Sequence, residues 1–141
     1  MLRYPSLLHA PDVLQQVQYY ECGFRYFKEN ELHVDRILDQ HVLLLMFDGE
    51  LIFYENDNRV SLSRGDWYIQ QPHKVQQGIE PSLLPRYFYL HYNGIDVVDD
   101  KGAPVIRGQY DPMEFTPYLD ELWRLEQKYN RDPLGSTALV A

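Results

Sequence analysis

Val42-Leu43-Leu44-Leu45-Met46-Phe47-Asp48-Gly49-Glu50-Leu51-Ile52-Phe53-Tyr54 is the stretch on which the fold of this chain turns. Its first six residues are continuously apolar but far too short a run to span a bilayer. The Asp48-Gly49 pair that follows suits the positive φ angles of a tight turn, and Leu51-Ile52-Phe53-Tyr54 then resumes an apolar strand. The stretch therefore predicts a β-hairpin turning at Asp48-Gly49.

The same pattern continues on either side. Asn56-Asp57-Asn58 is a second turn signal, and Arg59-Val60-Ser61-Leu62 alternates polar and apolar residues as a strand with one wet face does. Arg64-Gly65-Asp66 turns the chain into Trp67-Tyr68-Ile69-Gln70-Gln71, which Pro72 ends because proline removes a ladder donor. Residues 78–85 suit a loop, and Arg86-Tyr87-Phe88-Tyr89-Leu90-His91-Tyr92 an aromatic strand that stops at Asn93-Gly94. Upstream, residues 17–21 and 23–27 carry Tyr and Phe at strand-like density until Lys28-Glu29-Asn30-Glu31 interrupts them with charge. Short strands separated by turns point to a sandwich or barrel and argue against a parallel α/β fold.

The periodicity changes near the carboxyl end. Asp111-Pro112-Met113-Glu114 places a capping carboxylate, a proline at the first helical position and a Glu at the third, which predicts a helix from there to about Tyr129. Phe115, Tyr118, Leu119, Leu122 and Tyr129 fall on one apolar face, which is expected to cover the β structure; Trp123 and Leu125 lie off that stripe. The expected organisation is an arm over residues 1–16, a β region over 17–110 and a helical region over 111–141. Residues 135–141 suggest the opening of a second helix, as in a piece of a longer protein.

With 141 residues the chain has the length of one domain, and 45% apolar residues, including 12 Tyr, are too many for a disordered one. Met1-Leu2-Arg3-Tyr4-Pro5 lacks the apolar core of a secretory signal, so a cytoplasmic location is expected, and no membrane contact. The single Cys22 has no internal disulfide partner and fits a buried apolar position. A net charge of −8 with scattered cations is a poor footprint for nucleic acid.

Arg36, Asp39-Gln40-His41, the apolar run, Asp48-Gly49, Leu62-Ser63-Arg64-Gly65-Asp66-Trp67, Pro72 and Tyr89-Leu90-His91-Tyr92-Asn93-Gly94 occur in an order and spacing that resemble the amino-terminal cupin domain of AraC-type bacterial transcription regulators. The resemblance spans residues 17–129, and the Leu-x-x-Gly-Asp-Trp turn is its most specific part. It implies a mainly β fold, a cupin or double-stranded β-helix (jelly-roll barrel) followed by one or two C-terminal α-helices. It also implies a non-catalytic domain that senses a small-molecule effector, a carbohydrate by analogy, and forms a homodimer. DNA would be bound through a helix-turn-helix domain that these residues do not supply. An amino-terminal arm folded over the barrel mouth is a further implication; the alternative is that Leu7-Leu8 and His9 are disordered.

Enzymatic cupins use a metal held by imidazoles and a carboxylate converging on one coordination sphere. The corresponding places here hold Asp39, His41, Leu45 or Met46 and Gln76 or Gln77, with His73 as a substitute only if its loop were shifted. No metal and no cofactor are therefore expected. A metal-dependent isomerase or oxygenase is the competing hypothesis, and a dimerisation module with a side-chain-filled barrel a third.

Candidate ligand-binding residues follow from strand alternation. Tyr87, Tyr89 and His91 share one face of their strand, offering ring planes and hydrogen-bond groups suited to a sugar; the alternative is a packed aromatic core. Arg36 is placed by the resemblance near the ligand, with an ion pair to Asp35 or Asp39 as the alternative. His41 is either a satisfied core histidine or a ligand contact. Trp67 and Tyr68 point to opposite faces, and Trp67 is the candidate for the pocket.

Overall fold

The computed structural model describes residues 17–94 and 96–131, the side chain of Arg131 excepted. Among the described residues there are seven strands: β1 Gln18–Tyr26, β2 His41–Glu55, β3 Asn58–Ser63, β4 Asp66–Gln70, β5 Gln76–Gln77, β6 Leu83–Asn93 and β7 Arg107–Gln109. Helix α1 follows at Pro112–Glu126 and continues into a π-helical turn at Gln127–Arg131. The expected arm over residues 1–16 and the second helix over 135–141 lie outside the described residues.

All strand pairs are antiparallel. Hydrogen bonding runs in the order β1-β6-β2-β4-β7, with β3 and β5 paired to the distal half of β2. Among the described residues β1 and β7 do not pair, so the architecture is a mainly antiparallel β sheet with one C-terminal helix, and its pairing stops short of a closed barrel.

Asp48-Gly49 is not a hairpin. A two-residue hairpin of the favoured kind needs positive φ at both central residues, and here only Gly49 has it, at 67°. The chain runs on as the single 15-residue strand β2, and the pairing with β6 shifts register at Met46/Asp48 and again at Asp48/Glu50. Asp48-Gly49 thus forms an irregularity of the β-bulge kind, with the glycine left-handed. The reversal comes at Asn56 and Asp57, whose φ angles of 47° and 69° make the turn between β2 and β3.

The bulge sets which side chains face inward. Before it Val42, Leu44 and Met46 enter the main core; after it the parity changes and Leu51 and Phe53 do so, joined by Val60, Leu62, Tyr68 and Tyr87. The opposite face carries Cys22, Leu45, Phe88 and Leu119, with Leu43, Phe47 and Trp67 packed against them. Two further expectations change: residues 17–21 and 23–27 are parts of one strand, and the segment assigned to a loop already pairs from Leu83, opposite Glu50.

The Gly65-Asp66-Trp67 motif is a folding device. Gly65 takes φ +87° in the turn. The buried Asp66 carboxylate accepts the Ser63 amide at 2.8 Å and a bond from the Gln109 side-chain amide, tying the turn to β7. Helix α1 starts as expected, with Asp111 accepting the Met113 amide at 3.0 Å and Pro112 in the first turn. Its buried positions, however, are Pro112, Leu119 and Glu126, one every seven residues. Of the stripe expected to cover the sheet, only Leu119 does so, while Phe115, Tyr118, Leu122 and Tyr129 remain exposed.

Candidate functional site

A cavity of about 500 Å³ opens between the inner faces of β1 and β6 and the segment of residues 31–36 that joins β1 to β2. Alternation places Tyr87, Tyr89 and His91 from β6 in its wall, opposite Glu21 and Arg25 from β1, with Val42 and Leu44 as an apolar floor. Room for Tyr89 is made by Gly23, its register partner, where a Cβ would lie 2.8 Å from the tyrosine hydroxyl.

Arg36 reaches this cavity because its backbone forms a two-way bridge with Gln76, fixing the segment across the sheet. Its Nε donates to Gln76 Oε1 at 2.8 Å and its Nη2 to Gln70 Oε1 at 3.0 Å. Both acceptors are neutral amides, and both glutamines are fully buried. Among the described residues no carboxylate pairs with Arg36, so neither Asp35 nor Asp39 is its partner. Burial lowers the guanidinium pKa.

The network extends to His33. Its Nδ1 lies 2.7 Å from the Val34 carbonyl, which can only accept, so Nδ1 carries the proton and Nε2 accepts from Gln70 Nε2 at 3.2 Å. Burial moves the imidazole down from 6.5 to about 4, consistent with a neutral ring. At the other end of the wall His91 Nδ1 donates to Gln40 Oε1 at 3.1 Å, and burial lowers its pKa also. The Tyr87 hydroxyl is pushed up to about 12 by burial, so the phenol is neutral. Deeper in the core Glu55 accepts from Tyr68 at 2.7 Å, and burial raises its pKa.

The six candidate residues separate into two groups. Arg36, Tyr87, Tyr89 and His91 line one cavity. His41 and Trp67 do not. His41 stacks on Tyr92 with ring centroids 5.0 Å apart and places Nε2 2.9 Å from Asp96. Trp67 packs on the outer face over Gly108, where a Cβ would fall 2.5 Å from the indole nitrogen, and Tyr68 is the inward member of the pair. The parity of β4 is fixed by the burial of Asp66, Tyr68 and Gln70, which leaves Trp67 on the helix side.

Glu21, Arg25, His33, Gln70 and Gln76 were not anticipated. Gln70 shares the phase of Tyr68, which the sequence left unassigned between inside and outside. Gln76 and His33 had no legible signal, because only the folding of residues 31–36 over the sheet brings them to Arg36. Among the described residues no three His, Cys, Asp or Glu side chains converge as a metal-binding group, and no helix is long and apolar enough to cross a membrane.

No family profile and no curated protein sequence matches the chain. Solved structures do. YhaK from Escherichia coli superposes with a TM-score of 0.52 at 13% identity over 72% of this chain and 46% of its own. The Clostridium difficile EutQ protein gives a TM-score of 0.44 at 22% identity over 65% of this chain and 64% of its own. The chain thus spans less than two thirds of the length of either. Both are cupin-fold proteins, and the likeness to YhaK, added to the antiparallel pairing, supports a cupin-like fold for this chain.

Proposed function

We propose that this cupin-like domain is a non-catalytic sensor of the AraC type, which binds a carbohydrate in the cavity beside Arg36, forms a homodimer through α1 and acts in the cytoplasm. The observation that carries the proposal is Arg36 itself. A guanidinium has five donors, and the two bonds to Gln70 and Gln76 occupy two of them. A cation placed in a cavity wall with only neutral acceptors has spare donors for ligand hydroxyls, while Tyr87 and Tyr89 offer ring faces to the apolar face of a pyranose or furanose.

Binding is favoured over catalysis because the His33 imidazole and the Tyr87 phenol of the wall are each held in one state. Both nitrogens of His33 are engaged, and the Tyr87 phenol is far from ionising at neutral pH. In the longer protein that this reading implies, DNA contact would fall to a helix-turn-helix domain outside these residues. The competing hypothesis, a metal-dependent cupin enzyme, requires metal in the purified protein, and metal analysis decides it.

The test is a thermal-shift and calorimetric screen against mono- and disaccharides. A sugar at roughly 100 times its dissociation constant stabilises the fold by about 2.7 kcal/mol. Arg36→Gln is expected to abolish that shift and Trp67→Phe to retain it. Absence of a shift with every sugar removes the carbohydrate assignment; a shift unaffected by Arg36→Gln removes the cavity.

A further inference from the structure

A second concavity lies toward the outer face of the sheet; it shares Arg25 and Tyr87 with the sensing cavity but differs from it in chemistry. It occupies about 480 Å³ between β1, the β2 bulge, the turn before β4 and the first turns of α1. Its aromatic side is built by Phe24 and Phe47, with ring centroids 5.9 Å apart, and by the exposed Tyr26. Arg25, Arg64 and Arg86 stand around these rings.

The charge balance of this groove runs against that of the protein. The chain carries −8 overall, yet the groove is lined by three guanidinium groups and one carboxylate, Asp48. Asp48 already accepts the Gly49 amide at 2.9 Å. Arg25 is committed to Glu31 and to the Tyr26 carbonyl, both at 2.5 Å. Arg64 is held in place through one nitrogen, Nη1, which donates to the Phe47 carbonyl at 3.0 Å. The Arg86 side chain has no hydrogen-bond or ion-pair partner among the described residues, its pairing being through the backbone of β6. Arg64 and Arg86 therefore present unspent donors beside an exposed aromatic surface.

We propose that this outer groove is a second small-molecule site, selective for a flat aromatic ring bearing a carboxylate. A carboxylate matches the planar fork of a guanidinium and can accept two parallel bonds from it. The ring would lie against Phe24 and Phe47 in the offset or edge-on contacts that aromatic pairs prefer. The volume lies within the range of ordinary ligand pockets and exceeds what a single inorganic anion needs. Neutral sugars, which require dense hydrogen bonding, fit it poorly.

The experiment is a titration of the purified protein with 2-naphthoate, followed by calorimetry and by amide chemical shifts. Its neutral amide, 2-naphthamide, and 1-naphthyl phosphate serve as comparison ligands. Saturable naphthoate binding is expected, with shifts around residues 24–26, 47–49 and 86, weakening as salt is added. The neutral amide should bind at least about tenfold more weakly, as a lost charge-assisted contact implies. Arg86→Gln, an exposed substitution that leaves the fold intact by circular dichroism, should weaken naphthoate by roughly tenfold, and Tyr89→Ala in the inner cavity should not. Absence of saturable binding overturns the proposal. So does equal affinity for the neutral amide, tighter binding of the phosphate, or binding that Tyr89→Ala removes and Arg86→Gln leaves unchanged.

Discussion

At the scale of single residues, Gly49 and His33 have the most to lose. A Cβ on Gly49 would sit 2.2 Å from the Leu84 carbonyl oxygen, and the residue holds φ +67°. Gly49→Ala therefore combines an unfavourable backbone conformation with a clash against main chain, and it should destabilise the fold by more than about 2 kcal/mol in urea denaturation. His33 makes stability depend on pH. Its folded pKa of about 4 lies below the ordinary 6.5, so the native state binds fewer protons than the unfolded chain between those values. The stabilisation is complete above pH 6.5 and is lost as the pH falls toward 4, because burial disfavours the charged imidazolium and the Arg36 cation nearby adds to the penalty; a proton on Nε2 would also face the Gln70 amide donor. Asp35 acts in the opposite sense. Denaturation curves of wild type and His33→Gln should diverge by roughly 3 kcal/mol across that window, a slope the variant lacks. Both residues were obscure in the sequence for the same reason. Gly49 read as a hairpin glycine and His33 carried no signal, since the atoms that constrain them come from residues 84 and 70.

At the scale of elements, α1 is anchored by few side chains and leaves much of its apolar surface open. Leu119 packs beside Cys22 and Phe88 in the outer cluster, and Glu126, bonded to the Tyr19 hydroxyl, ties the carboxyl end to β1. Tyr118, Leu122, Leu125 and Tyr129, spaced four, three and four residues apart, are 67, 39, 37 and 39% exposed. Spacings of three and four are those of a seam between two helices, which gives the proposed homodimer its surface. Leu122→Asp with Leu125→Asp should convert a dimer to a monomer in sedimentation velocity while changing the melting temperature of the monomeric fold little. A monomeric wild type at micromolar concentration would remove the dimer from the proposal. The helix itself was plain from Asp111-Pro112 and the apolar spacing. Which stripe it buries was not, because the heptad of Pro112, Leu119 and Glu126 includes a charged residue whose partner lies more than a hundred positions away.

At the scale of the whole molecule, β2 is the spine. Its first half is hydrogen-bonded on one side to β4 and on the other to β6, and its second half carries β3 and β5. Amides of Val42, Leu43 and Leu44, which lie between β4 and β6, should be the slowest to exchange with deuterium, and those of the edge strands β1 and β7 distinctly faster. Equal protection throughout would contradict the sheet order. The amino-acid sequence by itself determined the strand-rich class, the shared face of Tyr87, Tyr89 and His91, the helix start at Asp111 and the Gly65-Asp66 turn, because alternation, capping and turn chemistry are local and repeat at short range. Tertiary structure alone decided that Asp48-Gly49 bends one long strand and does not reverse it, that Trp67 faces the helix and Tyr68 the core, that β5 and β7 exist, and that Arg36 is held by Gln70 and Gln76. The physical reason is common to all four. A strand's register, and the inward or outward phase that follows from it, is fixed by partners distant along the chain, and no local pattern records them.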